Sequence, residues 1–426
     1  MARRSIAVVL AAALALLVTV PGYAQGGGTQ RFAVSVDNIA EFKYTDSRAF
    51  DTPATASSPG VAVPGSAYEW KFYAMPGDRL SFATMLVQSN DWFYAPAEPG
   101  IPLYKDGSKM TGDITHYVYL WDAGTEGDET PGEGAYQAPR QSGPNMGPAD
   151  PMGYVRQVLT NLIPPTAQMV KVSLRDAGGD TFVLRIENIS GSSEFPSPLA
   201  PGVGVVHSAP APLFINGHAD FGIGLEGLAE DGDAGTLADA LLGYTGVNTP
   251  IAPVAYTVHT GYDPLFTPGR RASAGLEKLA EQGDPADLVA MLPGEAGAQA
   301  IARGATGAGP IFAPHGNFSF EIMASPGDHL SLATMFGQSN DWFYALQNQA
   351  LFDAGGQPIK GDFTHVVHLY NAGTEVDEVI GFGPNQAPRQ AGPDRGLAEG
   401  GTVEMVTQMP YDDAGKVLHM TITPLP

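Results

Sequence analysis

Short runs of alternating apolar and polar residues recur along the chain. Examples are RFAVSVDNI (31–39), YEWKFYA (68–74), TFVLRIENI (181–189) and FSFEIMA (318–324). Such runs, bounded by Gly, Pro, Asn and Asp, are typical of half-buried strands joined by turns. The pattern predicts a mainly β fold made of two antiparallel β-sandwich modules, the second with short helical hairpin insertions.

Two long segments of the chain repeat each other. GDRLSFATMLVQSNDWF at 77–93 matches GDHLSLATMFGQSNDWF at 327–343, and the likeness resumes between 112–144 and 361–393. A repeat of this length indicates two copies of one domain rather than a solenoid of short units. Chemistry carried by one copy is therefore expected to be either carried or lost by the other.

Similar strands at the start and end of each copy set the expected domain boundaries. TFVLRIENI resembles RFAVSVDNI and is interpreted as the first strand of the second copy. The sequence thus predicts one β-sandwich at 31–177 and a second at 178–426. A short Gly-containing link between them leaves little room for a long linker.

A helical insertion is expected at 204–293, in the second copy only. It is itself duplicated, because GLEGLAEDGD at 224–233 returns as GLEKLAEQGD at 275–284. Each box spaces two Leu residues three apart, as on one face of a helix. Asp233 and Asp284 stand where a helix N-cap is favoured. The boxes predict two short helical hairpins packed beside a sheet.

The amino-terminal residues have the composition of an export signal. Two arginines precede an apolar run from Ile6 to Val20, and small residues then suit cleavage before Gln25. We expect a signal peptide at 1–24, a flexible leader at 25–30, and a secreted or periplasmic mature chain without a transmembrane helix. An uncleaved anchor is the alternative, but a membrane span needs about 18–20 apolar residues, more than this run provides.

Composition narrows the possible functions. The chain of 426 residues has no Cys, so it has neither disulfides nor a thiolate metal site. A formal net charge of -23 excludes generic nucleic-acid binding and leaves carboxylates available for hard cations. No G-x-S-x-G, H-E-x-x-H or phosphate-binding loop is found in the sequence, and the protein is predicted not to be an enzyme.

Acidic residues follow the repeated strands. Asp91 lies in QSNDWF, while Asp122 and Glu126 lie in WDAGTE, on either side of Gly124. If these turns are adjacent, three carboxylates converge at one end of a sandwich and repel each other unless a cation offsets their charge. Calcium accepts six to eight oxygen ligands in flexible geometry. The alternative is that these acids only form turns.

At these residues the chain resembles the amino-terminal spondin domain family, which includes F-spondin-like, mindin-like and exported bacterial proteins. SFATMLVQSNDWF and YLWDAGTE carry the likeness, and the GLExLAE boxes resemble the bacterial branch. The resemblance covers nearly all of the mature chain. It implies an eight-stranded antiparallel sandwich that binds one calcium ion through its acidic loops. It also implies a role in adhesion, with an extracellular protein or a glycan as partner.

The resemblance places calcium ligands in both copies. Carried over onto this sequence they are Asp91, Asp122, Glu126, Asp341, Asn371 and Glu375. Asn371 stands where the family has Asp, so the second site loses one negative charge and calcium is expected to prefer the first. Asp128 and Asp377 follow the same loops and are expected to be outer ligands at most.

Two other functions stay open at this point. Trp92 and Trp342 follow the key aspartates, and an exposed Trp could stack on a sugar, as in a carbohydrate-binding module. A Trp packed under a loop is the commoner arrangement. Paired carboxylates could also hydrolyse glycosides, although these acids lie in short turns and no independent acid/base pair stands out. The leading prediction is an exported, non-enzymatic calcium-binding protein.

Overall fold

The computed structural model describes residues 28–209, 211–292, 300–408 and 410–426. The predicted signal peptide at 1–24 and the first half of the leader at 25–30 lie outside these residues. Strands dominate the described chain, which confirms the expected mainly β fold. Within the same residues, no helix is both long and apolar enough to cross a membrane.

Strands and helices are numbered in chain order. The strands up to residue 207 are β1 (Gln30–Asn38), β2 (Tyr44–Phe50), β3 (Ala67–Tyr73), β4 (Arg79–Leu86), β5 (Trp92–Pro96), β6 (Ile101–Pro102), β7 (Tyr104–Lys105), β8 (Ser108–Lys109), β9 (Gly112–Asp113), β10 (Val118–Asp122), β11 (Arg156–Gln157), β12 (Val170–Asp176), β13 (Thr181–Asn188) and β14 (Leu199–His207). Later strands are β15 (Ala255–His259), β16 (Ala300–Ala305), β17 (Asn317–Ala324), β18 (His329–Met335), β19 (Trp342–Ala350), β20 (Gly361–Asp362), β21 (Val367–Asn371), β22 (Glu404–Met405) and β23 (Leu418–Pro424). The helices are α1 (Thr166–Met169), α2 (Leu225–Asp231), α3 (Gly235–Leu242), α4 (Ala274–Gln282) and α5 (Ala286–Met291).

The chain divides into two compact units. The first unit is Phe42–Gly246, and the second unit combines the described residues up to Glu41 with Val247–Pro426. The first unit therefore interrupts the second in sequence. The chain leaves the second unit after β1 and re-enters it before β15.

The first unit is a sandwich of two antiparallel sheets. One sheet has the strand order β3-β13-β12-β9, and the other has β11-β10-β5-β4-β14-β2 with β6 beside β4. Aromatic side chains from both sheets meet in one buried cluster, including Trp70, Phe82, Tyr94 and Phe182. Burial of this apolar area between the inner faces holds the two sheets together.

Strand β4 is buried on both faces because helices cover the outer side of its sheet. Leu80 and Phe82 belong to the sandwich core. Ala83 belongs instead to a second cluster with Leu228 of α2 and Leu237 of α3. A small residue on the outer face leaves room for the helices. The two-sided burial explains why both faces of β4 carry apolar residues.

The second unit repeats this arrangement. Its sheets have the orders β17-β1-β23-β20 and β16-β15-β18-β19-β21-β22. Tyr256 of β15 stacks on Phe320 of β17, with ring centroids 4.0 Å apart, in the core between the sheets. Helices α4 and α5 cover the outer face of the larger sheet, where Leu276 and Phe343 share one buried cluster.

The compact units differ from the domains predicted at 31–177 and 178–426. Strand β13, interpreted as the start of the second copy, pairs with β3 and β12 and completes the first unit. Strand β1 pairs with β17 and β23 in the second unit. Because β1 and β13 have nearly the same apolar pattern, that pattern does not determine which sheet each strand joins.

The helical insertion predicted at 204–293 is likewise divided between the units. Helices α2 and α3 lie in the first unit, and α4 and α5 lie in the second. The expectation that the first copy lacks a hairpin is therefore wrong. Asp233 and Asp284 accept hydrogen bonds from the N–H groups of Gly235 (2.9 Å) and Ala286 (3.0 Å), but each lies one residue before the N-cap of its helix, which is Ala234 in α3 and Pro285 in α5.

Candidate metal centre

Strand register brings the acidic turns of the first unit together. Trp92, the first residue of β5, pairs with Asp122, the last residue of β10. Asp91 precedes Trp92 and therefore lies beside Asp122 at the same end of the sheet. Asp128 follows on the loop after β10. One carboxylate oxygen from each of these three aspartates lies within 4.8 Å of those of the other two.

Asp91 is held by the loop that follows β10. Its Oδ2 accepts hydrogen bonds from the N–H groups of Thr125 (2.8 Å) and Glu126 (3.1 Å) and from the Thr125 hydroxyl (3.2 Å). The side chain is 0% exposed, and its Oδ1 has no hydrogen-bond partner among the residues that the structure describes. Burial raises the pKa of Asp91 to about 6, although the two backbone N–H groups oppose the rise.

Asp122 is also buried, but both of its oxygens have partners. Its Oδ1 accepts the N–H of Gly124 at 2.7 Å, and its Oδ2 contacts the guanidinium of Arg156. Burial, followed by the charges of Asp91 and Asp128, raises the pKa of Asp122, while Arg156 acts in the opposite direction.

Arg156 is the resident counter-charge of the cluster. Besides Asp122, its guanidinium contacts Asp128 at 3.4 Å and Asp150 at 2.5 Å. Strand β11 places it there, because Arg156 pairs directly with Asp122 across the sheet. Arg156 was not among the predicted site residues, because the only signal for it is the pairing of two strands separated by a long loop.

The tight turn after Asp122 requires glycine. Gly124 has a φ of +72°, and a Cβ added there would lie 2.3 Å from the carbonyl oxygen of Tyr154. L-residues rarely adopt this backbone conformation, and the close approach excludes any side chain. The turn thereby directs the N–H groups of residues 124–126 toward the carboxylates of Asp91 and Asp122.

The structure groups the six predicted ligands differently from the sequence analysis. Asp91 and Asp122 come together with Asp128, which was expected to be an outer ligand at most. Glu126 lies next to this cluster, but its carboxylate accepts hydrogen bonds from the Gly147 N–H (2.5 Å) and the Asn90 amide (3.5 Å). Its backbone N–H, rather than its carboxylate, contacts Asp91.

The second unit repeats this geometry with fewer aspartates. Asp341 accepts the same three hydrogen bonds, from Thr374 and Glu375, and its Oδ1 is buried without a partner. Asn371 accepts the N–H of Gly373 with its oxygen and donates to Asp377 at 3.2 Å. The Asn371 amide nitrogen, which cannot bind a cation, therefore faces the remaining carboxylate.

In the second unit a glutamate, Glu404, occupies the position that corresponds to Arg156. Asn371 pairs with Glu404, in the register where Asp122 pairs with Arg156. The predicted ligand Glu375 groups instead with Glu281 of α4 and Asp394, and oxygens of these three carboxylates lie within 4.8 Å of one another. Burial raises the pKa of Glu281 to about 7. The sequence analysis treated Glu281 only as part of a helix.

Both tryptophans pack under the acidic loops. Trp92 is 5% exposed and donates its indole N–H to Oδ1 of Asp128 at 2.7 Å. Trp342 is 4% exposed and makes the same 2.7 Å hydrogen bond to Asp377. Each indole therefore fixes an acidic loop to the underlying strand and offers little ring surface to solvent.

No protein-family model matches this chain, and no curated protein matches it significantly. The fold and the site define a protein with two antiparallel β-sandwich units, each with buried carboxylates in the loops at one edge of a sheet. The likeness to spondin domains stays a prediction from the sequence.

Proposed function

We propose that the protein is an exported, non-enzymatic calcium-binding protein whose main ion site is the Asp91, Asp122 and Asp128 cluster. The observation that carries the proposal is the bare Oδ1 of Asp91, a buried carboxylate oxygen without a partner beside two further carboxylates. Leaving such an oxygen unpaired is costly, and a bound cation removes that cost.

The donor set suits calcium. Asp91, Asp122 and Asp128 offer hard oxygen atoms, and backbone carbonyls or water would supply the other ligands that calcium requires. The cluster contains no histidine, so zinc is disfavoured. Calcium would compensate the charge on the loop around Asp91 and on the loop around residues 122–128, and so join the two loops more tightly.

We expect the first unit to bind calcium more tightly than the second, as the sequence analysis predicted. The second unit has an amide at Asn371, and the nitrogen of that amide faces Asp377. In the first unit Arg156 competes with the ion for Asp122, but three carboxylates outweigh one guanidinium. The net charge of the first cluster therefore still favours a divalent cation.

Thermal unfolding of the chelator-treated protein tests this proposal. Calcium at 100 times its Kd should stabilise the protein by about 2.7 kcal/mol and raise the Tm accordingly. Asp91→Asn, which preserves the side-chain shape, should remove the part of that rise that comes from this cluster. Asp341→Asn is the matched control in the second unit and should retain it. A Tm that calcium leaves unchanged contradicts the proposal, as does equal loss in both variants.

We propose an extracytoplasmic interaction role, with a protein or a glycan as partner. Its support is the export-like amino-terminal sequence and the calcium-site geometry of the loops. Binding of the purified protein to arrayed glycans and matrix proteins, with calcium and with chelator, tests this role. Partner binding that is lost in chelator and in Asp91→Asn supports it, whereas no binding under either condition contradicts it.

The structure does not favour the two alternatives. Trp92 and Trp342 are too buried to stack on a sugar. The carboxylates that a hydrolase would use, Asp91, Asp122 and Glu126, are at most 2% exposed and are poorly placed to reach a substrate.

A further inference from the structure

A second acidic site lies beside the helical hairpin of the first unit. It is a cavity of about 310 Å³. Its polar lining consists of Asn145, Asp220, Glu226, Glu230, Asp231 and Thr236, and its remaining lining residues are glycines. Asp91, Asp122 and Asp128 do not line it, but the charge of Asp91 acts on Glu230, so the cavity adjoins the loop cluster. No lysine, arginine or histidine is among the lining residues.

Glu230 is the buried member of this lining. Its side chain is 1% exposed, and neither carboxylate oxygen has a hydrogen-bond partner. Thr125 is nearby, but its hydroxyl proton is donated to Asp91. Burial raises the pKa of Glu230 to about 8, and the charges of Glu126 and Glu226 add to the rise. An ionised Glu230 therefore requires a positive charge close to it.

Asp220 supplies a further bare oxygen from a different segment. Its Oδ1 is buried and has no hydrogen-bond partner. Its Oδ2, in contrast, accepts the N–H of Gly222 at 3.0 Å. Asp220 and Glu230 both line the cavity, and together they have three buried carboxylate oxygens without a hydrogen-bond partner among the described residues.

We propose that this cavity binds a hard divalent cation that prefers oxygen ligands, such as calcium, with Glu230 and Asp220 as ligands. Glu226 and Asp231 add negative charge at the rim. The cavity of about 310 Å³ has room for water molecules beside the ion, so the ion retains part of its hydration shell. The purely oxygen-bearing polar lining suits calcium better than zinc or copper.

The equivalent hairpin of the second unit differs in charge, although its buried Glu281 also lies among carboxylates. Its α4 carries Lys278 and Gln282 where α2 has Gly227 and Asp231. The Lys278 ammonium lies 2.8 Å from Asp284 and 3.0 Å from Asp287, so this hairpin carries its own positive charge. Gly227 lines the first unit's cavity, and a Cβ added there would meet no atom within 4 Å. A lysine is therefore sterically compatible with position 227.

Equilibrium dialysis with calcium tests the site. In the Asp91→Asn background, which weakens the loop cluster, the chain should still bind one calcium ion at the cavity. Adding Glu230→Gln should remove that ion because it removes a negative charge. Adding Gly227→Lys should also remove it because it adds a positive charge. Gly227→Ala is the matched control and should bind as before. Near-ultraviolet circular dichroism of each variant checks that the fold is intact.

The same measurement separates the two sites. Glu230→Gln as a single variant could lose a calcium ion and yet cause no further loss when it is added to Asp91→Asn. That result would place Glu230 in the loop cluster and overturn a separate site. Unchanged binding in both Glu230→Gln and Gly227→Lys would overturn it too. Loss confined to the cavity variants supports it, even if the loop cluster itself binds no calcium.

Discussion

The indole Nε1 of Trp92 lies 2.7 Å from Oδ1 of Asp128 and donates a hydrogen bond to it. The fluorescent indole of Trp92 is therefore in direct contact with a proposed calcium ligand. Terbium, which replaces calcium at sites with oxygen ligands, should consequently emit strongly by energy transfer when tryptophan is excited. Trp92→Phe should abolish most of this emission, whereas Trp342→Phe should preserve it. Equal losses would show that the ion does not prefer the first unit.

Removal of the resident guanidinium should strengthen calcium binding. Arg156→Gln frees Asp122 and Asp128 from their counter-charge, and we expect the calcium Kd to fall by roughly tenfold. Isothermal titration calorimetry measures this change. A weaker affinity in Arg156→Gln would mean that the arginine organises the site rather than competing with the ion.

The same variant should destabilise the metal-free protein. Breaking a buried ion pair costs roughly 3–5 kcal/mol, because Asp122 is left buried without its partner. Calcium should recover much of that loss. Arg185→Gln breaks an exposed pair with Glu69 and should cost no more than about 1 kcal/mol. Chemical denaturation with and without calcium measures both effects.

Gly124→Ala should disrupt the turn after β10. The substitution combines an unfavourable φ with a contact 2.3 Å from the backbone of Tyr154, so we expect a loss of more than about 3 kcal/mol. Gly107→Ala has a similar φ of +75° but open space around the added Cβ, and it should cost only about 1–2 kcal/mol. Similar costs would show that the Tyr154 contact relaxes readily. Urea denaturation compares the two.

His207 should make stability depend on pH below neutrality. Burial lowers its pKa from 6.5 to about 4, and its Nε2 accepts a hydrogen bond from Ser81. Below pH 6.5 the unfolded state gains a proton that the folded state does not gain until about pH 4. Stability therefore falls by about 3 kcal/mol as the pH drops through this window.

His207→Gln should remove this part of the pH dependence. The difference between wild-type and variant free energies of unfolding, measured by urea denaturation at pH 7 and at pH 4.5, isolates the contribution of His207. Carboxylates with raised pKa values change the stability in the opposite direction as the pH falls. Because they are present in both proteins, their contribution cancels in that difference. A difference that does not change with pH would mean that His207 is protonated equally in both states.

The local structure of this protein is well encoded in its sequence. Alternation in RFAVSVDNI and FSFEIMA predicted strands that are present as β1 and β17, and the GLExLAE boxes predicted helices present as α2 and α4. The repeated acidic turns also led to the hypothesis that Asp91 and Asp122 converge if their loops are adjacent, and the two carboxylates do lie close together in the structure. These features depend on contacts between near neighbours or on one local pattern.

Long-range pairing could not be predicted in this way. The exchange of β1 and β13 depends on which of two similar sheets each strand joins, and their patterns are alike. Arg156 approaches Asp122 only through the register of β10 with β11. The cluster contains Asp128, although Glu126 was predicted as its third member. Which of the two joins the cluster depends on where the carboxylates point after the turn, and spacing along the chain does not determine that.

The placement of β1 constrains synthesis of the protein. Domains generally fold as they emerge from the ribosome, amino-terminal parts first. Phe42–Gly246 is contiguous and can close as soon as it is made, but β1 must wait until its neighbours β17 and β23 have been translated. Throughout that interval the earliest strand of the chain exposes an apolar face and unpaired backbone groups, so the nascent protein needs protection from aggregation that the finished one does not.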